Sequence, residues 1–219
     1  MIPFLLVLAG GTAVSAIVLV RRAEARRLEG MRTAGARLGW NYRGDVALET
    51  LPDLSRFELF TQGRRHTFAN LMTSPDGDPR ALLFDFSYTT GGGNSQSRHH
   101  QTVVYTVSNA VDLPKFSLRP QRFFHTIAKA FGYQDIDLER RPLFSGMFVL
   151  RGEDEAAVRD VFDRHVAEFF EAHPDVCAAA IGREVLYWRA SRRAGGDEVE
   201  SLITQALDLT RRLTGRPAR

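Results

Sequence analysis

A chain of 219 residues with a single cysteine can form neither an internal disulfide framework nor a cysteine-based zinc knuckle. Other absences narrow the chemistry further. No HExxH pattern supplies a zinc site, no GxSxG elbow lifts a serine, and no glycine-rich stretch ends in the lysine plus serine or threonine of a phosphate loop. Internal repeats and low-complexity tracts are missing as well. The last absence is local: Ile2 to Val20 contains no charged side chain.

That uncharged run is the first positive feature. As a helix it rises about 28 Å at 1.5 Å per residue, close to the roughly 30 Å of a bilayer core. Its only polar side chains are Thr12 and Ser15, so it has no polar face for the surface of a soluble domain. A cleaved signal peptide ending near Val14-Ser15-Ala16 is the competing reading, but no basic residue precedes the apolar run. The basic residues follow it, at Arg21, Arg22, Arg26, Arg27, Arg32 and Arg37. The expectation is an uncleaved, single-pass transmembrane anchor in the inner (cytoplasmic) membrane, with its N-terminus outside and the remaining chain in the cytoplasm. Ala9 with Ala13, and Gly11 with Ser15, have the small-xxx-small spacing that lets two such helices approach.

The same segment explains the charge. A net charge of +3 with a pI near 9.3 suggests nucleic acid, but six arginines against Glu24 and Glu29 put +4 into residues 21–37 and leave −1 for residues 38–219. The basic character therefore points to anionic lipid headgroups near Arg21, Arg22, Arg26 and Arg27, and not to nucleic acid. The bilayer itself is the partner expected for residues 2–20, together with an unidentified protein.

Over the whole chain, 44% hydrophobic and 25% charged residues are ordinary for a globular protein. Leu28, Met31 and Ala34 or Gly35 recur at helical spacing, and Gly39 suits a C-terminal cap, which predicts a basic juxtamembrane stalk over residues 21–39. From Trp40 to Asn109 the period becomes two: Leu82, Phe84, Phe86 and Tyr88 share one face, Asp85 and Ser87 the other, and Val103, Tyr105 and Val107 alternate likewise. With Phe57 to Phe60 and His66 to Thr73, these runs predict an antiparallel meander. Later segments read as a helix from Gln121 to Phe131, a central strand from Leu143 to Leu150 and a long helix from Glu153 to Ala172. A hairpin around Gly182-Arg183 and a last helix after Asp197 complete the series. The fold class expected is α+β: an N-terminal transmembrane helix and stalk, then an antiparallel β meander followed by mixed helices and strands. The domain plan is an anchor over 1–20, the stalk over 21–39, a cytoplasmic domain over 40–214 that forms one core or two lobes (40–112 and 113–214), and a tail over 215–219.

Candidate chemical residues each have a plainer reading. The Thr89 to Ser97 segment, with Gly91, Gly92 and Gly93, precedes a strand pattern, whereas a phosphate cradle needs a helix N-terminus there. It reads as a hairpin connection. His99 and His100 could take a metal with His66 or Asp85, but neighbouring strand residues point to opposite faces. Ser145 lacks an elbow, and Cys177 before three alanines reads as a packed, inert thiol. Asp135 and Asp137 beside Arg140 and Arg141 read as a surface ion-pair cluster, and Arg119 and Arg151 as anion ligands or partners of carboxylates. No catalytic, cofactor-binding or metal-binding residue is assigned, and no cofactor is expected.

Phe84-Asp85-Phe86-Ser87-Tyr88-Thr89-Thr90-Gly91, Gln101-Thr102-Val103, Leu113 to Pro120, Phe131 to Asp137 and Phe144 to Glu155 resemble a group of uncharacterised bacterial proteins. Members of that group carry one N-terminal transmembrane helix and a cytoplasmic α+β domain, and the resemblance covers most of residues 38–190. It implies one domain after an anchor and carries over no site residue. The function expected is a single-pass, membrane-anchored protein whose cytoplasmic domain is a binding or scaffolding module rather than an enzyme. The alternatives are a membrane-tethered, metal-assisted hydrolase using His66, Asp85, His99 and His100, and a lipid-binding domain with an apolar groove between sheet and helices.

Overall fold

The computed structural model describes residues 3–93, 95–110, 112–126 and 135–214, the side chains of 3–17, 124–126 and 214 excepted. Helix α1 (Pro3–Leu38) is 36 residues long, about 54 Å at 1.5 Å per residue. It stops where the sequence indicates. Gly39 takes φ +69°, and the Trp40 amide donates to the Gly35 carbonyl at 2.8 Å, satisfying one of the last-turn carbonyls. Among the described residues no helix is long and apolar enough to cross a membrane. Most of the 2–20 run, including the Ala9/Ala13 and Gly11/Ser15 pairs, falls on positions whose side chains lie outside the described set.

Eight strands follow: β1 (Asn41–Arg43), β2 (Arg64–Thr73), β3 (Arg80–Thr90), β4 (Ser97–Val107), β5 (Leu113–Pro120), β6 (Phe148–Gly152), β7 (Val176–Gly182) and β8 (Glu184–Arg189). They form one sheet in the order β1-β2-β3-β4-β8-β7-β5-β6, and every neighbouring pair is antiparallel. The class is α+β, as the alternation and helical periods predict. The two candidate lobes share this sheet, because β4 pairs with β8 from Val103↔Trp188 to Val107↔Glu184.

Both faces of the sheet are covered, by different layers. One face carries Met72, Leu83, Val104, Leu118, Leu150, Ala178 and Tyr187, which pack under α1, α3 (Pro142–Met147), α4 (Glu155–Val161), α5 (Arg164–Glu171) and α6 (Val199–Thr214). The other carries Phe84, Phe86, Val103, Tyr105, Cys177, Leu186 and Trp188 under residues 54–61, which include the short helix α2 (Glu58–Thr61). Met31 and Ala34 of α1 belong to the first core. The 21–39 stretch is therefore not a free stalk: its second half is a structural helix of the domain.

Four expectations change at this level. Phe57 to Phe60 is not a strand: Phe57 precedes the short helix α2, and Phe57, Leu59 and Phe60 lie buried over the apolar sheet face. Leu143 to Leu150 is not a central strand. Pro142 starts α3 at its first helical position, and the rest becomes β6 at the edge of the sheet. Its apolar character arises because Phe144 of α3 and Phe148 and Leu150 of β6 enter the same core. The Glu153 to Ala172 helix breaks into α4 and α5, since Asp163 accepts from the Val166 amide at 3.0 Å just as Asp154 accepts from that of Ala157. The Gln121 helix is a 3-10 turn over Gln121–Thr126, and residues 127–131 of that expectation lie outside the described set. Strand β5 had no sequence signal, because Pro114 stands inside it; the proline is tolerated at an irregularity in register between Leu113 and Phe116.

Candidate functional site

The junction between α1 and the sheet is built around a buried ion pair. Asp85 is the one carboxylate of β3, on the face turned to the helices, and Arg27 lies one turn before Met31 on the stripe of α1 that packs there. The Arg27 Nη2 group donates to Asp85 Oδ1 at 2.7 Å and to Oδ2 at 2.8 Å, and the two side chains are 10% and 8% exposed. Isolated, either charge would be costly there, and the remaining lone pairs must be filled. Thr102 Oγ1 donates to Asp85 Oδ1 at 2.7 Å and Asn70 Nδ2 donates to Oδ2 at 2.8 Å. Asn70 adopts φ +57° in an irregular stretch of β2, and its side-chain oxygen accepts from the Tyr42 hydroxyl at 2.8 Å. The strand irregularity thus turns a polar side chain into the junction.

A second set of contacts ties the same helix to the loop before α6. Arg27 Nε donates to the Ala194 carbonyl at 2.8 Å, and the Ala194 amide donates to Thr102 Oγ1 at 2.9 Å. Arg193 clasps Glu24 with two bonds of 2.8 Å. Gly30 and Gly196 meet backbone to backbone, so closely that a Cβ on Gly30 would lie 2.6 Å from the Gly196 Cα. Together these contacts fix the direction in which α1 leaves the domain. Past Arg21 the helix exposes Val18, Leu19 and Val20 at 40%, 64% and 69%.

Arg27 was expected at lipid headgroups; its guanidinium is instead turned into the protein and saturated by Asp85, Ala194 and Glu24. The missed signal was its spacing, four before Met31 and seven before Ala34. The proposed metal set does not converge. Asp85 and His100 lie on the helix face, pairing in register with Thr102 and Ser87, whereas His99 stacks on Tyr88 and His66 packs on Phe86, both on the α2 face. Among the described residues no group of three or more histidine, cysteine or acidic side chains could hold a metal. His100 has its pKa lowered, first by burial and then by Arg98 and Arg193.

The remaining candidates have structural partners. Thr90 pairs with Ser97, so the glycine segment is a hairpin connection. Ser145 Oγ accepts from the Leu138 amide at 3.0 Å. Asp135 pairs with Arg151 at 2.7 Å rather than with Arg140 or Arg141, and Arg141 lies 3.8 Å from Glu168. Arg119 pairs with Glu58 at 3.0 Å. Cys177 is buried, and desolvation pushes its thiol up to about 12, which leaves it unreactive at neutral pH.

No protein-family model matches the chain, and no curated protein matches it. The solved structures do contain the fold. The crystal structure of the mycobacterial trehalose monomycolate transport factor A, TtfA, superposes with a TM-score of 0.59 at 12% sequence identity, covering 89% of this chain and 96% of that one. The likeness extends over nearly the whole of both chains, and what it establishes is a shared α+β fold.

Proposed function

We propose that this protein is a membrane-tethered binding module, an accessory factor rather than an enzyme, serving the movement of an envelope lipid; the solved structure that shares its fold is named a trehalose monomycolate transport factor. The observation that carries the reading is the geometry of α1. One end of the helix is locked to the sheet through Arg27 and Asp85, while the other leaves the domain with Val18, Leu19 and Val20 exposed and enters an uncharged run. A helix fixed at one end and greasy at the other holds the domain at a set height and orientation on a membrane. Arg21, Arg22 and Arg26 sit at that boundary, where each basic side chain near anionic lipid contributes about 1 kcal/mol and favours the cytoplasmic side.

The tether is tested with the full chain carrying a C-terminal reporter active only in the cytoplasm. Expected is a membrane-fraction protein that resists alkaline extraction and gives cytoplasmic reporter signal. Extraction into the soluble fraction removes the tether, and a signal from outside reverses its orientation. The transport reading is tested by deleting the gene and comparing surface-exposed with cell-associated lipid. Accumulation of a cell-associated envelope lipid is expected; unchanged distribution overturns it.

A further inference from the structure

Toward its N-terminus α1 advances along the sheet in the direction of β3. Gly35 lies against Tyr42 and Met72, whose partner on β3 is Leu83, and eight residues earlier Arg27 reaches Asp85. Glu24 then reaches Arg193, next to the Arg192 carbonyl that accepts from the Thr102 amide at 3.2 Å. Strand β3 itself runs on from Asp85 to Thr90 and returns as β4. The hairpin end of the sheet therefore lies on the side from which α1 leaves the domain.

That end is positive without compensation. Residues 59–75 and 86–111 contain Arg64, Arg65 and Arg98 and no aspartate or glutamate, although residues 38–219 together carry −1. All three arginines are exposed, and none has an ion pair among the described residues: Arg64 donates to the Gly91 carbonyl and Arg98 to Ser87 Oγ at 3.3 Å. Elsewhere in the domain Arg56, Arg119, Arg122 and Arg159 each face a carboxylate. Arg65 adopts φ +56° at a register irregularity of β2, a conformation that is costly for a long side chain.

Arg65 and Arg98 line one open basin with Thr67, Thr89 and Gln96, about 650 Å³ out to its mouth. Its lining holds neither a carboxylate nor an apolar side chain. Guanidinium forks match the oxygens of a phosphate, and the hydroxyls and the amide can donate to the same acceptors. The basin thus suits an anionic oxygen group and offers nothing to hydrocarbon. A phospholipid headgroup meets both conditions, because its acyl chains stay in the bilayer.

We propose that the hairpin end of the sheet is a second membrane contact, at which Arg64, Arg65 and Arg98 bind the phosphates of anionic phospholipids in the bilayer that α1 enters. The contact presupposes the tether proposed for α1 and adds to it. One helix leaves the domain free to turn about the helix axis; a second contact off that axis stops the turning and keeps one end of the sheet against lipid.

The full chain is reconstituted in vesicles of phosphatidylcholine and in an equal mixture of phosphatidylcholine and phosphatidylglycerol, and amide hydrogen exchange and alkaline extraction are measured on both. Resistance to extraction is expected in both. Exchange over residues 62–67 and 89–98 is expected to slow roughly tenfold on the mixture alone, and to recover near 1 M salt, where the screening length falls to about 3 Å. Arg65→Gln with Arg98→Gln should remove most of the slowing while melting temperature and extraction stay as in wild type. A chain that resists extraction from both vesicles but exchanges equally on them overturns the second contact and leaves the tether standing. Slowing on the mixture by a chain that alkali extracts keeps the lipid-binding surface and overturns the tether. Equal slowing by inorganic phosphate added to phosphatidylcholine vesicles overturns the membrane contact by showing a site for a free anion, and slowing that survives the double substitution overturns the role of the arginines.

Discussion

Asp85 shows how much one side chain can decide. In β3 it interrupts an apolar run, and the strand period alone leaves its face open to water. Helices cover that face, so the carboxylate's burial is offset by its bonds to Arg27, Thr102 and Asn70. Asp85→Ala strands the arginine, and the expected cost of about 3–5 kcal/mol lowers the melting temperature by roughly 6–20 °C. Arg27→Met with Asp85→Leu should recover most of that loss in the same thermal unfolding measurement; no recovery would show that the pair is not the dominant contact. Cys177 supplies a second residue-scale test. Its thiol is pushed to about 12 in the folded protein, above the roughly 8.5 of an unfolded chain. The folded state therefore holds the proton where the unfolded state has lost it, and stability falls by about 1.4 kcal/mol per pH unit as pH rises through that window. Urea unfolding at pH 8 and pH 10 should show wild type losing about 2 kcal/mol more than Cys177→Ala.

Elements were legible to different degrees, for physical reasons. The β3–β4 ladder, the β7–β8 hairpin and the Gly39 cap are local, set by alternation and turn residues a few positions apart. The breaks at Pro142 and Asp163 were harder to see. Phe144 and Phe148, or Val158 and Val166, enter one core from different elements, and an apolar pattern does not record where the chain turns between them. Helix α1 gives the element-scale prediction. In an isolated helix Gly30→Ala is favourable by about 1 kcal/mol. Here the new Cβ meets the Gly196 backbone, which cannot yield as a flexible side chain would, so a net loss of about 1–3 kcal/mol is expected. Hydrogen exchange over residues 21–38 should quicken while β3 and β4 stay protected; unchanged exchange would mean that α1 docks without this approach.

At the scale of the whole molecule, the β4–β8 ladder joins residues 40–112 and 113–214 in one sheet, which predicts one cooperative unit. Calorimetry should record a single transition, and the 40–112 fragment alone, with Val103 and Val104 uncovered on its last strand, should not fold. Two separable transitions would restore the two-lobe plan. The two sheet faces are covered differently: one fastens helix α1 through Arg27 and Asp85, and the other lies under the short helix α2.

The sequence by itself determined the fold class, the uncharged N-terminal run, the placement of the basic charge in residues 21–37 and the separation of His99 from His100. Each depends on composition or on a period of two or 3.6, which neighbours along the chain can express. Only the tertiary structure decided that Arg27 serves Asp85 rather than a headgroup, and that Gln101 and Arg119, three strand pairings apart, line one cleft. The partners in each case lie between 18 and 58 positions apart, joined by strand order and helix docking, which no local pattern encodes.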